Sequence, residues 1–68
     1  AIRLLEQAIE IDPVAEPLYQ RLIPLLVADG RHAEAVSMYH RCKSALARWA
    51  DRQPSPETQR LLQQFQPR

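Results

Sequence analysis

Apolar residues recur at helical spacing in four blocks along the chain, each closed by proline, glycine or a short polar run. The first block predicts a helix over 1–11, with Ile2, Leu5, Ala8 and Ile9 on one face. Asp12-Pro13 ends it, because proline disfavours helical geometry in the residue before it. A second helix is predicted over 15–29, with Leu18, Tyr19, Leu22, Ile23, Leu25 and Leu26 on a broad apolar face. Pro17 suits its first turn. Pro24 falls mid-pattern, removes one helical hydrogen bond and predicts a kink. Asp29-Gly30 supplies the stop, since glycine readily takes the left-handed conformation at a helix end.

The third block, 32–50, carries a stripe of Ala35, Tyr39, Cys42, Leu46 and Trp49, spaced four, three, four and three. Val36 widens it, while Glu34, Ser37, Arg41, Lys43, Ser44 and Arg48 face away. After Asp51-Arg52-Gln53-Pro54, Ser55-Pro56 reads as an N-cap followed by proline at the first helical position. A short helix over 56–65 then carries Leu61, Leu62 and Phe65. The fold class expected is therefore all-α, built of antiparallel helical hairpins.

Laid on itself at an offset of 34 residues, the chain places Ala1 on Ala35, Leu5 on Tyr39 and Ala8 on Cys42. Small residues fall on small and large on large. Small positions let neighbouring helices approach, and the large one fills the groove between them. The pattern resembles a tetratricopeptide repeat, with Pro13 as the closing proline, Tyr19 and Leu22 on a first helix and Gly30 at its turn. The resemblance implies the second half of one repeat over 1–13, a full repeat with an extended last helix over 15–50, and a terminal packing helix over 55–66. About one and a half repeats are fewer than the roughly three an independent array needs. Ile23 stands where that repeat has a small residue, which sets the second helix further from its partner. Ala47 stands in place of a closing proline, so the third helix runs on through Trp49. The core expected comprises Leu5, Ala8, Tyr19, Leu22, Leu26, Ala35, Tyr39, Cys42 and Leu46, and on that footing Tyr39→Ala would remove about 3–5 kcal/mol.

Tyr-Gln-Arg-Leu at 19–22, Gly-Arg-His-Ala-Glu-Ala at 30–35, Tyr-His-Arg-Cys-Lys at 39–43 and Pro-Ser-Pro-Glu-Thr at 54–58 are together similar to the bacterial transcriptional activator domain. That family's linker has a glycine shortly before the first of these prolines, whereas Ala50-Asp51-Arg52-Gln53 has none. The resemblance implies part of a bacterial transcriptional regulator, acting in self-association or intramolecular control, with other domains or a second copy as partner. It brings no catalytic residue.

Composition narrows the rest. Six prolines against one glycine suit proline-punctuated helices, and a net charge of +1 with interleaved signs points to neither nucleic acid nor an anionic membrane. No apolar run approaches the roughly 18 residues of a membrane span. A single cysteine forms no internal disulfide and fits a reducing, cytoplasmic setting. The chain opens inside a helical pattern without an initiator methionine, which predicts a piece of something longer.

Candidate chemistry is sparse. His40 and Cys42 lie about 200° apart around a helix and His32 two turns from His40, so no metal site is expected. Cys42 sits mid-helix on the apolar stripe, where burial suppresses thiol reactivity. Without catalytic partners for the scattered carboxylates, no enzyme activity, cofactor or small-molecule site is expected. Arg31, Arg41, Lys43, Arg48 and Arg52 form a basic set, but Glu34 and Asp51 are spaced to pair with Arg31 and Arg48. Direct nucleic-acid binding is the least favoured reading. A generic tetratricopeptide adaptor with a peptide in its concave groove is the second. The lysine and asparagine clamp of chaperone adaptors is excluded, because Gln20 and Pro24 stand where it would begin and the chain has no asparagine. Tyr39 and Trp49 read as core, with Trp49 alternatively an exposed interface anchor. Leu62 and Phe65 are further interface candidates.

Overall fold

The computed structural model describes the backbone of residues 1–65 and the side chains of residues 1–63. Among these there are four helices and no strand, which is the all-α class expected. α1 spans Ile2–Ile11, α2 Glu16–Ala28, α3 His32–Ala45 and α4 Pro56–Phe65. A single π-helical turn, Leu46–Ala50, extends α3.

The helix ends follow from local chemistry. Asp12, ahead of Pro13, is extended at φ −135° while its amide still donates to the Ala8 carbonyl. Gly30 takes φ +77° after α2. Its N–H donates to the Val27 carbonyl at 3.0 Å, and that of Arg31 donates to the Leu26 carbonyl at 2.8 Å. Those two bonds form a Schellman motif and satisfy carbonyls the helix end would otherwise leave open. α2 runs on through Pro24 without a break. The Gln20 carbonyl loses its helical donor there, and burial of Leu22, Ile23 and Leu26 on either side holds the helix together.

α2 is the central element. It packs on α1 to one side and α3 to the other, while α4 lies against both α2 and α3. Its Tyr19, Leu22, Ile23 and Leu26, at helical spacing, supply the middle of the core. Ile9 of α1 and Ala35, Met38, Cys42 and Leu46 of α3 with its extension close over them. Ile23 is buried, so the bulky residue at a usually small position is accommodated in the core.

Of the remaining residues expected inside, Leu5, Ala8 and Tyr39 are half-buried, with Leu5 and Tyr39 packed against the core. Met38, next to Tyr39, is the one fully enclosed. Both side chains pack on the core cluster, and the flexible thioether takes the deeper place. Leu62 is half-buried. The side chain of Phe65 and residues beyond 65 lie outside the described residues.

The stripe expected to end at Trp49 ends at Leu46. Trp49 is 70% exposed. The cause is the π-turn, whose i→i+5 bonding takes up about one residue more than an α-turn and so rotates Trp49 off the buried face. Asp51 closes this turn in the left-handed conformation, φ 53° and ψ 46°. Its amide and that of Arg52 both donate to the Leu46 carbonyl. Aspartate tolerates this conformation better than most residues, and so stands in for the glycine that the linker lacks.

Candidate functional site

Among the described residues, polar side chains come together in a clasp at the start of α4, in a groove beside Trp49, and in a hollow lined by Arg3, Glu6, Gln7, Glu10 and Arg41.

The clasp centres on Glu16, in the first turn of α2, which is only 7% exposed. Ser55 caps α4, since its carbonyl accepts the first helical bond from Gln59 at 3.1 Å. The Ser55 amide donates to Glu16 Oε2 at 2.7 Å, and the Thr58 hydroxyl donates to the same oxygen at 2.6 Å. Gln20, one turn further along α2, donates from Nε2 to Thr58 Oγ1 at 3.0 Å. The chain Gln20 to Thr58 to Glu16 polarises each bond in turn. Arg52 Nη2 stands 3.9 Å from Glu16 Oε1. Burial alone would raise the carboxyl's pKa, yet the hydrogen bonds from Thr58 and Ser55 and the charge of Arg52 together hold it below the ordinary glutamate value.

This is a capping box assembled between helices. Within one helix, the residue three after the serine cap would be glutamate or glutamine and would reach back to the cap's amide. Position 58 is threonine, which leaves that amide without a local acceptor, and Glu16 reaches across from α2 instead. Sequence reasoning missed Glu16 and Thr58. The one available signal was this incomplete capping box, which says that an acceptor is needed but not where it comes from.

The groove is about 330 Å³ and is lined by Pro13, Tyr19, His40, Arg41, Ser44, Ala45, Arg48 and Trp49. The Tyr19 hydroxyl donates to the Pro13 carbonyl at 2.6 Å and ties the α1–α2 turn to the core. Burial raises the tyrosine's pKa, which keeps the donor protonated. The Arg48 guanidinium carbon lies 5.8 Å from the centre of the Trp49 ring, within cation–π range. Neither Arg41 nor Arg48 has a carboxylate partner among the described residues, whereas Arg31 is paired with Glu34 and Asp29.

The remaining chemical groups do not converge. Cys42 is buried, and burial, with the nearby Glu16 charge adding to it, pushes its thiol up to about 11. His32 and His40 are exposed, and His40 stacks edge-on against Tyr39 at 5.7 Å. Among the described residues no three metal-ligating side chains come together. None of the described helices is long and apolar enough to cross a membrane.

No curated protein and no solved structure matches the chain significantly. The family model for the bacterial transcriptional activator domain matches residues 1–66, a span that takes in both the clasp and the groove. The chain belongs to the bacterial transcriptional activator domain family.

Proposed function

We propose that this domain serves a cytoplasmic bacterial transcriptional regulator as a protein-contact scaffold, engaging another domain of the regulator or a second copy through a helix face. The observation that carries the reading is Trp49. A tryptophan turned out of the core beside an open groove is the residue type most enriched at the energetic centres of protein interfaces. π-turns, which place it there, also concentrate at functional positions. The repeat division proposed is a half repeat over 1–13, a full repeat over 15–50 and a terminal helix from 55, with α4 clasped across the open end of the stack.

Direct contact with nucleic acid is not part of this reading. Arg31 and Arg52 are turned toward carboxylates, so the basic residues do not run on as a strip that could follow a phosphate backbone. Nor is catalysis part of it: the single cysteine is buried, and burial raises its thiol pKa. Size-exclusion chromatography with light scattering on the whole regulator and on its Trp49→Ala variant tests the scaffold role. Loss of self-association, or of the compact interdomain arrangement, is expected in the variant. Identical profiles at every concentration would remove Trp49 from the contact.

A further inference from the structure

We propose that the Trp49 groove receives an acidic peptide segment, one that sets carboxylates against Arg41 and Arg48 and an apolar side chain on the exposed indole. The proposal rests on the protein-contact reading and adds the chemistry of the partner. Charge complementarity carries it. The groove wall holds two guanidinium groups and no carboxylate. The carboxylates nearby stand outside that wall: Asp12 next to Pro13, Asp51 past Trp49, and Glu6 and Glu10, which line a neighbouring hollow with Arg41 without forming an ion pair to it, so that Arg48 is the stronger of the two anchors.

Arg41 and Arg48 are seven residues apart, so about 10 Å separates them along the helix axis. A peptide in the polyproline II conformation, with three residues and about 9 Å per turn, spans that distance with side chains i and i+3 on the same side, and a helical one spans it in two turns. Glutamate or aspartate at every third position of a polyproline II segment therefore meets both arginines. Arg48 already lies against the Trp49 ring, so less side-chain freedom is lost when it takes up a carboxylate. Ser44, between the two arginines, offers a hydroxyl to the peptide backbone.

The test uses the 68-residue chain, whose single tryptophan reports on the groove directly. A short peptide with glutamate at every third position, leucine and serine between, is titrated while Trp49 fluorescence is followed. Its glutamine-for-glutamate counterpart and a short DNA duplex are titrated in parallel. The glutamate peptide is expected to bind about tenfold more tightly than the glutamine peptide, with the preference shrinking at high salt. Arg41→Gln and Arg48→Gln should each weaken binding about three- to fivefold, the range of a solvent-exposed ion pair. Lys43→Gln, on an exposed side chain away from the groove, should leave it unchanged. Circular dichroism verifies that each variant is folded.

Equal binding of both peptides with a Trp49 response would overturn the acidic preference and leave the scaffold reading standing. Weakening by Lys43→Gln as large as by Arg48→Gln would reduce the effect to general charge attraction and overturn the site. Failure of both peptides to bind would overturn the site as well. A Trp49 response to the duplex stronger than to the peptide would overturn both the acidic partner and the protein-contact reading.

Discussion

Removing the Glu16 carboxylate is the sharpest perturbation this fold offers. The Ser55 amide and Thr58 hydroxyl donate to one oxygen at 2.7 and 2.6 Å, and hydrogen bonds to a charged group contribute about 1.5–3 kcal/mol each. Because they share an acceptor, they are not independent. Part of the gain also offsets desolvation of a nearly buried charge. The Arg52 contact, 3.9 Å long and half-exposed, adds little. Glu16→Ala should therefore destabilise by about 2–4 kcal/mol. A chain of 68 residues has only roughly 3–10 kcal/mol in total at the usual stability per residue. For a domain of this size about 2 kcal/mol lowers the melting temperature by roughly 8–16 °C. The loss should also be local at first. Among the described side chains, α4 contributes none to the apolar core cluster, so its attachment depends heavily on the clasp. Hydrogen exchange should show α4 amides opening before those of α1–α3. A double-mutant cycle with Thr58→Val isolates the shared bond, with an expected coupling of about 1–2 kcal/mol. Coupling below about 0.5 kcal/mol, or α4 exchange unchanged in Glu16→Ala, would refute the clasp as the attachment of α4.

Four other outcomes follow from the same geometry. The folded Glu16 pKa is lowered, so its contribution is full above the ordinary glutamate value and fades as pH falls through the folded one; α4 exchange should rise in acid in the wild type and lose that pH response in Glu16→Gln. Tyr19→Phe removes the donor to the Pro13 carbonyl and should cost about 0.5–1.5 kcal/mol in urea unfolding. Asp51→Gly relieves a left-handed backbone at φ 53°, and should be neutral or stabilising by up to about 1 kcal/mol, with a loss above that arguing against the turn as described. The Cys42 thiol, buried and pushed up to about 11, should resist a disulfide reagent at neutral pH until denaturant is added, and prompt labelling would contradict its place in the core.

Much of this fold is written locally. Pro13, Gly30 and Ser55-Pro56 act within a few residues of themselves, and apolar periodicity needs only one turn to declare itself, so the four helices stood out in the sequence. Tyr39 illustrates where local reading fails. It packs on the core beside Met38, and which of two adjacent side chains goes deeper depends on the shape of the facing α2 surface rather than on period. With Tyr39 half-buried, Tyr39→Ala should fall below the 3–5 kcal/mol of an enclosed ring. Trp49 illustrates a second failure, because the stripe assumes an unbroken α period and the π-turn changes the period at its last step.

The 34-residue self-similarity carries the same lesson further. Leu4 and Ile11 are 71% and 86% exposed, while Met38 and Ala45, 34 positions on, are buried. Equivalent places in the repeat thus have unequal surroundings. α3 packs against both α2 and α4, whereas α1 packs on α2 alone among the described residues. A repeat encodes which side chains are able to pack. What they pack against is decided by neighbours distant in the chain, and Glu16 is the plainest case, reaching across 39 and 42 residues to Ser55 and Thr58. The candidate site inherits this division: its helices are readable one turn at a time, but the clasp that seats α4 and the π-turn that presents Trp49 exist only once the chain has closed on itself.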